Sequence, residues 1–300
     1  GVAVIKMTGD FEAAMNRVSI STKGSATEMK AMNELALKLG KDTIFGATEA
    51  ADAMDMLAKN GLSAKQILEG AAEASVALAS AAGSDLAPAA DAVTDVMQQF
   101  DLTTSELTFA VNQITGAVNE SKLSFNDFTM AIGQAGGVAG SSGVEFDDFN
   151  AAIAATSSLF SSGSDAGTSF KTFITRLTPE SKPARKAIEE LGLSFFDLQG
   201  NMRSMSEIAE ELKTKLSGLS ESDRTATLKA IFGVDAMRTA IGLMKQGAAG
   251  IDEIKTKIAE TDAAAQSAQR LKGFNGQMEE LSGAVETLAI RIGQSGVLEA

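Results

Sequence analysis

The sequence predicts an all-α fold of many short amphipathic helices punctuated by glycines. Ala, the residue with the highest helix propensity, supplies 50 of the 300 residues, whereas Pro, the strongest helix breaker, occurs only 3 times. The 28 glycines interrupt the helical stretches at short intervals. Apolar residues recur at helical spacing between these interruptions, and a heptad pattern near the C-terminus predicts one longer helix.

Capping signals place the starts of several helices. In a capping box, a Ser or Thr and a Glu or Gln three positions later satisfy free backbone N–H groups of the first turn. Such pairs include Ser25–Glu28, Ser63–Gln66, Thr103–Glu106 and Ser204–Glu207. Apolar residues on one helical face follow each pair, so we expect a helix to begin at each of them.

One segment has no helical pattern. Residues 193–203 contain two short apolar stretches around Asp197, Gly200 and Asn201, which are residue types that favour turns. The segment therefore predicts a short β-turn or hairpin.

Composition and punctuation divide the chain into four predicted segments. Residues 1–40 form N-terminal helices, 41–178 an Ala-rich acidic helical domain, 179–247 a helical subdomain with a short non-helical insert, and 248–300 a long helix or coiled-coil segment. The chain opens without Met and stops just after a helical pattern, so we expect both end segments to be truncated.

Similar landmarks recur about 80 residues apart within the second segment. Phe45 and Phe125 occupy corresponding places, as do Gly61 and Gly143. An ancestral helical repeat would explain this recurrence, and so would the chance similarity of helix punctuation.

The charge is concentrated in one stretch. The chain carries a net charge of -13, and residues 66–170 hold 13 acidic residues against a single base, Lys122. Such a stretch repels phosphate backbones, so no sequence-specific nucleic-acid binding is predicted. It favours a solvated acidic face that keeps Ala-rich helices soluble.

The missing residue types exclude much catalytic chemistry. The chain has no His, Cys, Trp or Tyr. It therefore has no imidazole base, Ser-His-Asp triad, thiol nucleophile, disulfide or thiolate zinc site.

Recognisable catalytic motifs are missing as well. No phosphate-binding loop, G-x-G-x-x-G or G-x-S-x-G string occurs. Glu145, Asp147 and Asp148 could be imagined as a glycosidase-like acid pair, but acids in the first turn of a helix are far more common. We therefore predict no enzyme activity, no cofactor, and no catalytic, cofactor-binding or metal-binding residue.

Apolar residues near the C-terminus alternate in spacings of three and four. This is the a/d seam of a coiled coil, and it predicts self-association, with a trimer as one candidate state. An amphipathic helix folded back on its own chain is the alternative. The seam residues are Leu271, Phe274, Met278, Leu281, Val285, Leu288 and Ile292.

Short strings occur in a characteristic order over nearly the whole chain. Each is weak alone, but their order and spacing resemble the core region of phage tail tape measure proteins, the minor tail protein family. The peptidoglycan-cleaving modules of some members are not found, so the resemblance implies no wall-digesting role. The strings are Asp10-Phe11-Glu12 with Met15 and Val18; Leu39-Gly40 with Thr43, Phe45 and Ala47; Glu49-Ala50-Ala51 with Met54; Leu57-Ala58 with Gly61; Ala166-Gly167-Thr168 with Arg176-Leu177; Leu191-Gly192-Leu193; Gly200 after Asp197; and Ile231-Phe232-Gly233.

The resemblance implies a structural component of a phage or prophage virion. Such a protein sets tail length, templates assembly of the tail tube and is released during DNA ejection. Its implied partners are further copies of itself, the tail tube, tail tip and tail assembly chaperone proteins, and the host membrane on ejection. It would be assembled in the bacterial host cytoplasm and reside in the tail lumen.

Two alternatives from other classes stay open. Uncharged stretches within residues 130–164 suit a membrane-active, toxin-like protein, and the heptads suit a coiled-coil adaptor or signalling module. Within the tape measure interpretation, a ruler would be one extended helix rising about 1.5 Å per residue. Because glycines and caps interrupt this chain repeatedly, we hypothesise a compact docking region beside the ruler.

Overall fold

Helices form most of the chain in a computed structural model that describes residues 2–272 and 274–295. No β-strand longer than a single bridge occurs in these residues, so the predicted all-α fold is confirmed. In chain order the helices are α1 (Val2–Thr22), α2 (Ala26–Asp42), α3 (Ala47–Lys59), α4 (Ala64–Gln66), α5 (Ala72–Ala82), α6 (Leu86–Gln99), α7 (Leu107–Asn119), α8 (Phe125–Ser141), α9 (Phe146–Thr156), α10 (Gly163–Arg176), α11 (Lys182–Leu191), α12 (Met205–Leu216), α13 (Glu221–Ala259), α14 (Ala263–Arg270) and α15 (Phe274–Gln294).

The predicted capping boxes begin their helices. Ser25, Ser63 and Ser204 each accept a hydrogen bond from the backbone N–H three residues later, and the partner Glu or Gln accepts from the N-cap backbone. At Thr103, the backbone N–H donates to a Glu106 carboxylate oxygen at 2.9 Å. These local bonds satisfy N–H groups that the first turn leaves free.

The predicted turn near residues 193–203 is present. Phe196 and Met202 form an isolated antiparallel bridge. Between them, Asp197 Oδ1 accepts from the backbone N–H of Gln199 at 2.9 Å and of Asn201 at 2.8 Å. An Asp side chain bonded to the backbone two and four residues on stabilises a tight turn.

Two glycines break α13 into three helical pieces. Gly233 has φ +72° and Gly247 has φ +63°, which L side chains rarely adopt. The chain therefore changes direction at both positions, and the 39-residue span is not one straight rod.

The described chain folds as two compact units. The first contains residues up to Thr94, Thr103–Val111 and the described residues from Asp262 onward. The second contains Asp95–Leu102 and Asn112–Thr261. The four predicted segments follow a different division, and their boundaries and the internal repeat stay predictions.

The first unit packs α1, α2 and α3 against one another, with α15 joined to all three. Phe11, Met32, Met54 and Leu57 are fully buried in this unit. Residues far apart in sequence therefore share one core.

Phenylalanines dominate the core of the second unit. The rings of Phe149 and Phe170 lie 5.4 Å apart in an edge-to-face arrangement, and those of Phe173 and Phe232 lie 5.1 Å apart. All four side chains are almost completely buried. This aromatic cluster joins α9, α10 and the first part of α13.

Within the described residues, no helix combines the length and hydropathy needed to cross a membrane.

Candidate assembly surface

Helix α15 presents an apolar stripe to solvent. Met278, Leu281, Val285, Leu288 and Ile292 are 47%, 55%, 52%, 59% and 38% exposed. They recur at spacings of three and four, so all five lie along one side of the helix. We call these five residues the heptad face.

The opposite face of α15 is buried against its own chain. Thr287 is less than a tenth exposed, and Ile290 is fully buried. A Cβ placed on Gly283 would lie 2.5 Å from the carbonyl oxygen of Gly40 in α2. The missing side chain therefore allows α15 to approach the backbone of α2 closely.

A carboxylate from α15 caps the N-terminus of α3. The Thr48 hydroxyl donates to Glu286 Oε1 at 2.6 Å, and the Thr48 backbone N–H donates to the same oxygen at 3.3 Å. The N-cap residue of α3, Gly46, has no side-chain oxygen of its own. A negative charge there also interacts favourably with the positive end of the helix dipole. Glu286 thus fixes α15 on the first unit.

An exposed ion pair also links α15 to α2. Arg291 Nη2 lies 3.3 Å from Glu34 Oε2, with both side chains about half exposed to solvent. Exposed pairs of this kind contribute little to stability.

The structure brings together five of the seven predicted seam residues. Leu271 lies outside α15, because α14 ends at Arg270 and Leu271 is its C-cap. The side chain of Phe274 lies outside the described part of the chain. In the described residues 248–272 and 274–295, the helices are the end of α13, α14 and α15, and the predicted long helix or coiled-coil segment of residues 248–300 stays a prediction.

The heptad pattern and the alternative of a helix folded back on its own chain both hold for α15, which has two apolar faces. The helix does fold back onto its own chain, but through the side opposite the heptad face. Gly283 and Ile290 lie seven residues apart and share that side, so their spacing in the sequence indicates the second face.

The acidic residues Asp147 and Asp148 make structural contacts. Asp148 is 4% exposed, and its carboxylate accepts from Lys255 Nζ at 2.7 Å and from the Met205 backbone N–H at 2.9 Å. Asp147 lies 3.0 Å from the same ammonium. Burial alone would lower the pKa of Lys255, but the hydrogen bonds that its ammonium donates to Asp148 and Asp147 hold its pKa above the usual value. The cluster ties α9 to α12 and α13.

Comparisons with known proteins identify the family. The model of the family described as phage-related minor tail protein matches residues 33–233. The chain is also similar to the tape measure protein of Pneumococcus phage Dp-1, with 28% identity over 294 residues, which is 97% of this chain and 26% of that protein. The chain thus spans about a quarter of the length of this relative. No solved structure matches. The match over residues 33–233 extends from α2 to the Gly233 break in α13, and the chain therefore belongs to the phage-related minor tail protein family.

Proposed function

We propose that this chain is the core region of a tape measure protein, a non-enzymatic structural component of a phage or prophage tail. One observation carries the proposal: the similarity to the Dp-1 tape measure protein extends over 97% of the chain. In this role the parent protein sets tail length, templates assembly of the tail tube and leaves the tail during DNA ejection.

The chain acts as a docking region and not as the ruler. A ruler needs length proportional to residue number, which a continuous helix provides at about 1.5 Å per residue. Here α1 and α15 have only 21 residues each, and α13 is broken at Gly233 and Gly247. Compact units with their own cores suit binding to other tail proteins.

In this proposal, the protein is assembled in the host cytoplasm and is located in the lumen of the tail. The tube, tip and assembly chaperone proteins are the proposed partners, together with further copies of the chain. The net charge of -13 supports release during DNA ejection, because acidic side chains do not adhere to phosphates.

Tail length in electron micrographs tests the proposal. Deleting long-helix sequence outside this segment should shorten tails by about 1.5 Å per residue removed. Deleting residues 66–170 should abolish tail assembly. Normal tails from both deletions would overturn the tape measure assignment, and proportional shortening from the second would overturn the docking role.

A matched pair of substitutions keeps chain length constant. Phe170→Asp places a charge in the buried aromatic cluster of the second unit, so we expect few or no tails. Leu198→Asp changes a fully exposed residue and should leave tail number and length unchanged. Equal tail numbers in the two variants would contradict a requirement for this fold.

A further inference from the structure

We infer that α13 is a two-state helix, bent at Gly247 by contacts with α12 and continuous through residue 247 when those contacts are lost. The change concerns one helix of the second unit and is separate from the docking role. It rests on the proposed function only for its occasion, the departure of the chain from the tail during DNA ejection.

The bend at Gly247 uses a backbone conformation that is nearly restricted to glycine. Gly247 has φ +63° and ψ -171°, a combination that is costly for any residue with a side chain. In the middle of a continuous helix, glycine is less favourable than alanine. Compared with alanine, Gly247 therefore favours the bent form over the continuous form.

Helix α12 holds the bend from outside. Glu210 Oε2 accepts from the Ala248 backbone N–H at 3.0 Å, and the Ser206 hydroxyl donates to the Ala248 carbonyl oxygen at 3.4 Å. The bond from Ala248 lowers the pKa of Glu210, so this carboxylate is charged at neutral pH. It caps the helical piece that begins after Gly247 and interacts favourably with the positive end of its dipole.

The piece of α13 after Gly247 has no start signal of its own. Helices α12 and α14 begin at Ser204 and Asp262, whose side chains accept from backbone N–H groups of the first turn. Residues 240–250 contain no Ser, Thr, Asp, Asn or Pro, the residue types that mark helix starts. The local sequence therefore does not specify a new helix here, and α12 supplies the missing cap.

The apolar pattern of α13 continues through the bend without a change of phase. Eight positions recur at spacings of 4, 4, 3, 4, 4, 3 and 4, which is an 11-residue period. This period belongs to one continuous helix with about 3.67 residues per turn. Two separate helices would not need to keep a common phase. The eight residues are Phe232, Ala236, Ala240, Leu243, Gly247, Ile251, Ile254 and Ile258.

Burial keeps the bent form dominant while α12 is in place. Leu243 and Ile251 are fully buried. Straightening moves the piece after Gly247 off α12 and exposes apolar surface, which is unfavourable. Once α12 has left, residues 234–259 can form one helix that rises about 39 Å, since the Gly233 break lies before them.

The distance between two spin labels on either side of Gly247 tests this inference. The chain has no Cys, so Val234→Cys and Thr256→Cys introduce two labelling sites at exposed positions. These positions are 22 residues apart, which corresponds to about 33 Å in a continuous helix. The otherwise unsubstituted chain should give a shorter distance, because the backbone changes direction at Gly247.

A double variant should convert the bent form into the continuous form. A Cβ on Gly247 would lie 2.6 Å from Lys213 Cδ in addition to its unfavourable backbone angles, and Glu210→Ala removes the cap. Gly247→Ala with Glu210→Ala should therefore shift the equilibrium by at least about 100-fold. The main distance should become about 33 Å, and the helical circular dichroism signal should not fall.

Gly250→Ala is the matched control. It makes the same substitution three residues further along α13, where the backbone is helical and the added Cβ would meet only the side chain of Gln246. The distance in this variant should stay short. A short distance in the double variant as well would overturn the two-state helix. A broad distance distribution with a reduced helical signal would also overturn it, because the segment would then unfold and not straighten.

Glu210→Ala alone tests the clamp without changing Gly247. Glu210 is exposed, so its truncation should leave the second unit folded. Loss of the cap should raise the fraction of chains with the longer distance about fivefold. No longer-distance fraction in this variant would overturn α12 as the clamp. These measurements use the isolated chain, so their failure leaves the tail-length experiment, and with it the proposed function, to be decided separately.

Discussion

Replacing Asp148 with Ala should destabilise the second unit severely. Its carboxylate is almost fully buried and accepts from both Lys255 and the Met205 backbone N–H. Removing one partner of a buried ion pair costs about 3–5 kcal/mol, and a buried N–H left without a partner costs about 1–3 kcal/mol. Lys255 is 28% exposed and keeps Asp147 at 3.0 Å, which offsets part of the first cost. We therefore expect a loss of about 3 kcal/mol in the free energy of unfolding.

Urea titration followed by circular dichroism measures this loss, and Asp147→Ala is the matched control. The Asp147 side chain is 37% exposed. Its removal frees the Asp148 backbone N–H, which donates to Asp147 Oδ1 at 2.8 Å, but leaves both bonds of the Asp148 carboxylate in place. The control should therefore lose less than about 1 kcal/mol. If Asp148→Ala lowers the free energy of unfolding no more than Asp147→Ala does, the buried carboxylate does not hold α9, α12 and α13 together.

Three further predictions concern the stability of variants with a single substitution. Gly283→Ala should lower the free energy of unfolding by about 1–3 kcal/mol, because its Cβ would meet a backbone oxygen of α2. Hydrogen exchange should then show α15 less protected. Gly133→Ala is the control: nothing lies within 4 Å of its Cβ, so it should raise the free energy of unfolding by up to about 1 kcal/mol. Gly233→Ala should cost about 1–3 kcal/mol in thermal unfolding, because φ +72° with ψ -176° is a backbone conformation that essentially only Gly adopts. Its Cβ would meet no atom within 4 Å, so an unchanged melting temperature would contradict this backbone effect. The hydrogen bond from Arg238 holds the pKa of Asp165 below its usual 3.8, so the stability from this pair is present above that pH and lost as pH falls through the lowered pKa. Asp165→Asn should flatten that acid dependence in urea midpoints measured across this range, and an unaltered slope would exclude the pair as its source.

Features with a local cause were predictable from the sequence. A capping box needs only residues three apart, and the boxes at Ser25, Ser63 and Ser204 form as expected. The turn around Asp197 depends on bonds to residues two and four positions on. The heptad spacing of α15 likewise depends on neighbouring turns of one helix. The residues that make each contact in these cases are near one another in the chain.

Contacts between distant parts of the chain could not be read in the same way. Glu286 caps a helix that begins more than 200 positions earlier, and no spacing rule links it to Thr48. No spacing rule predicts the close approach of Gly283 to Gly40 either. The sequence predicts only that glycines interrupt helical stretches, and the use of Gly283 and Gly40 in packing depends on which helices meet. The Ile231-Phe232-Gly233 string is a related case: two side chains are buried, and the glycine turns the chain directly after them.

Helix continuity separates the ruler role from the docking role. A continuous helix of 300 residues would reach about 450 Å, and every deleted residue would shorten it equally. In a folded unit, a deleted residue removes a cap or a core contact, so the expected consequence is loss of the fold and not a proportional change in length. Phe149, Phe170 and Phe232 come from three helices and complete one cluster, which cannot be shortened piecewise. Under the proposed docking role, the dependence of tail assembly on this chain should therefore be all-or-none, and tail length should depend on helices elsewhere in the parent protein.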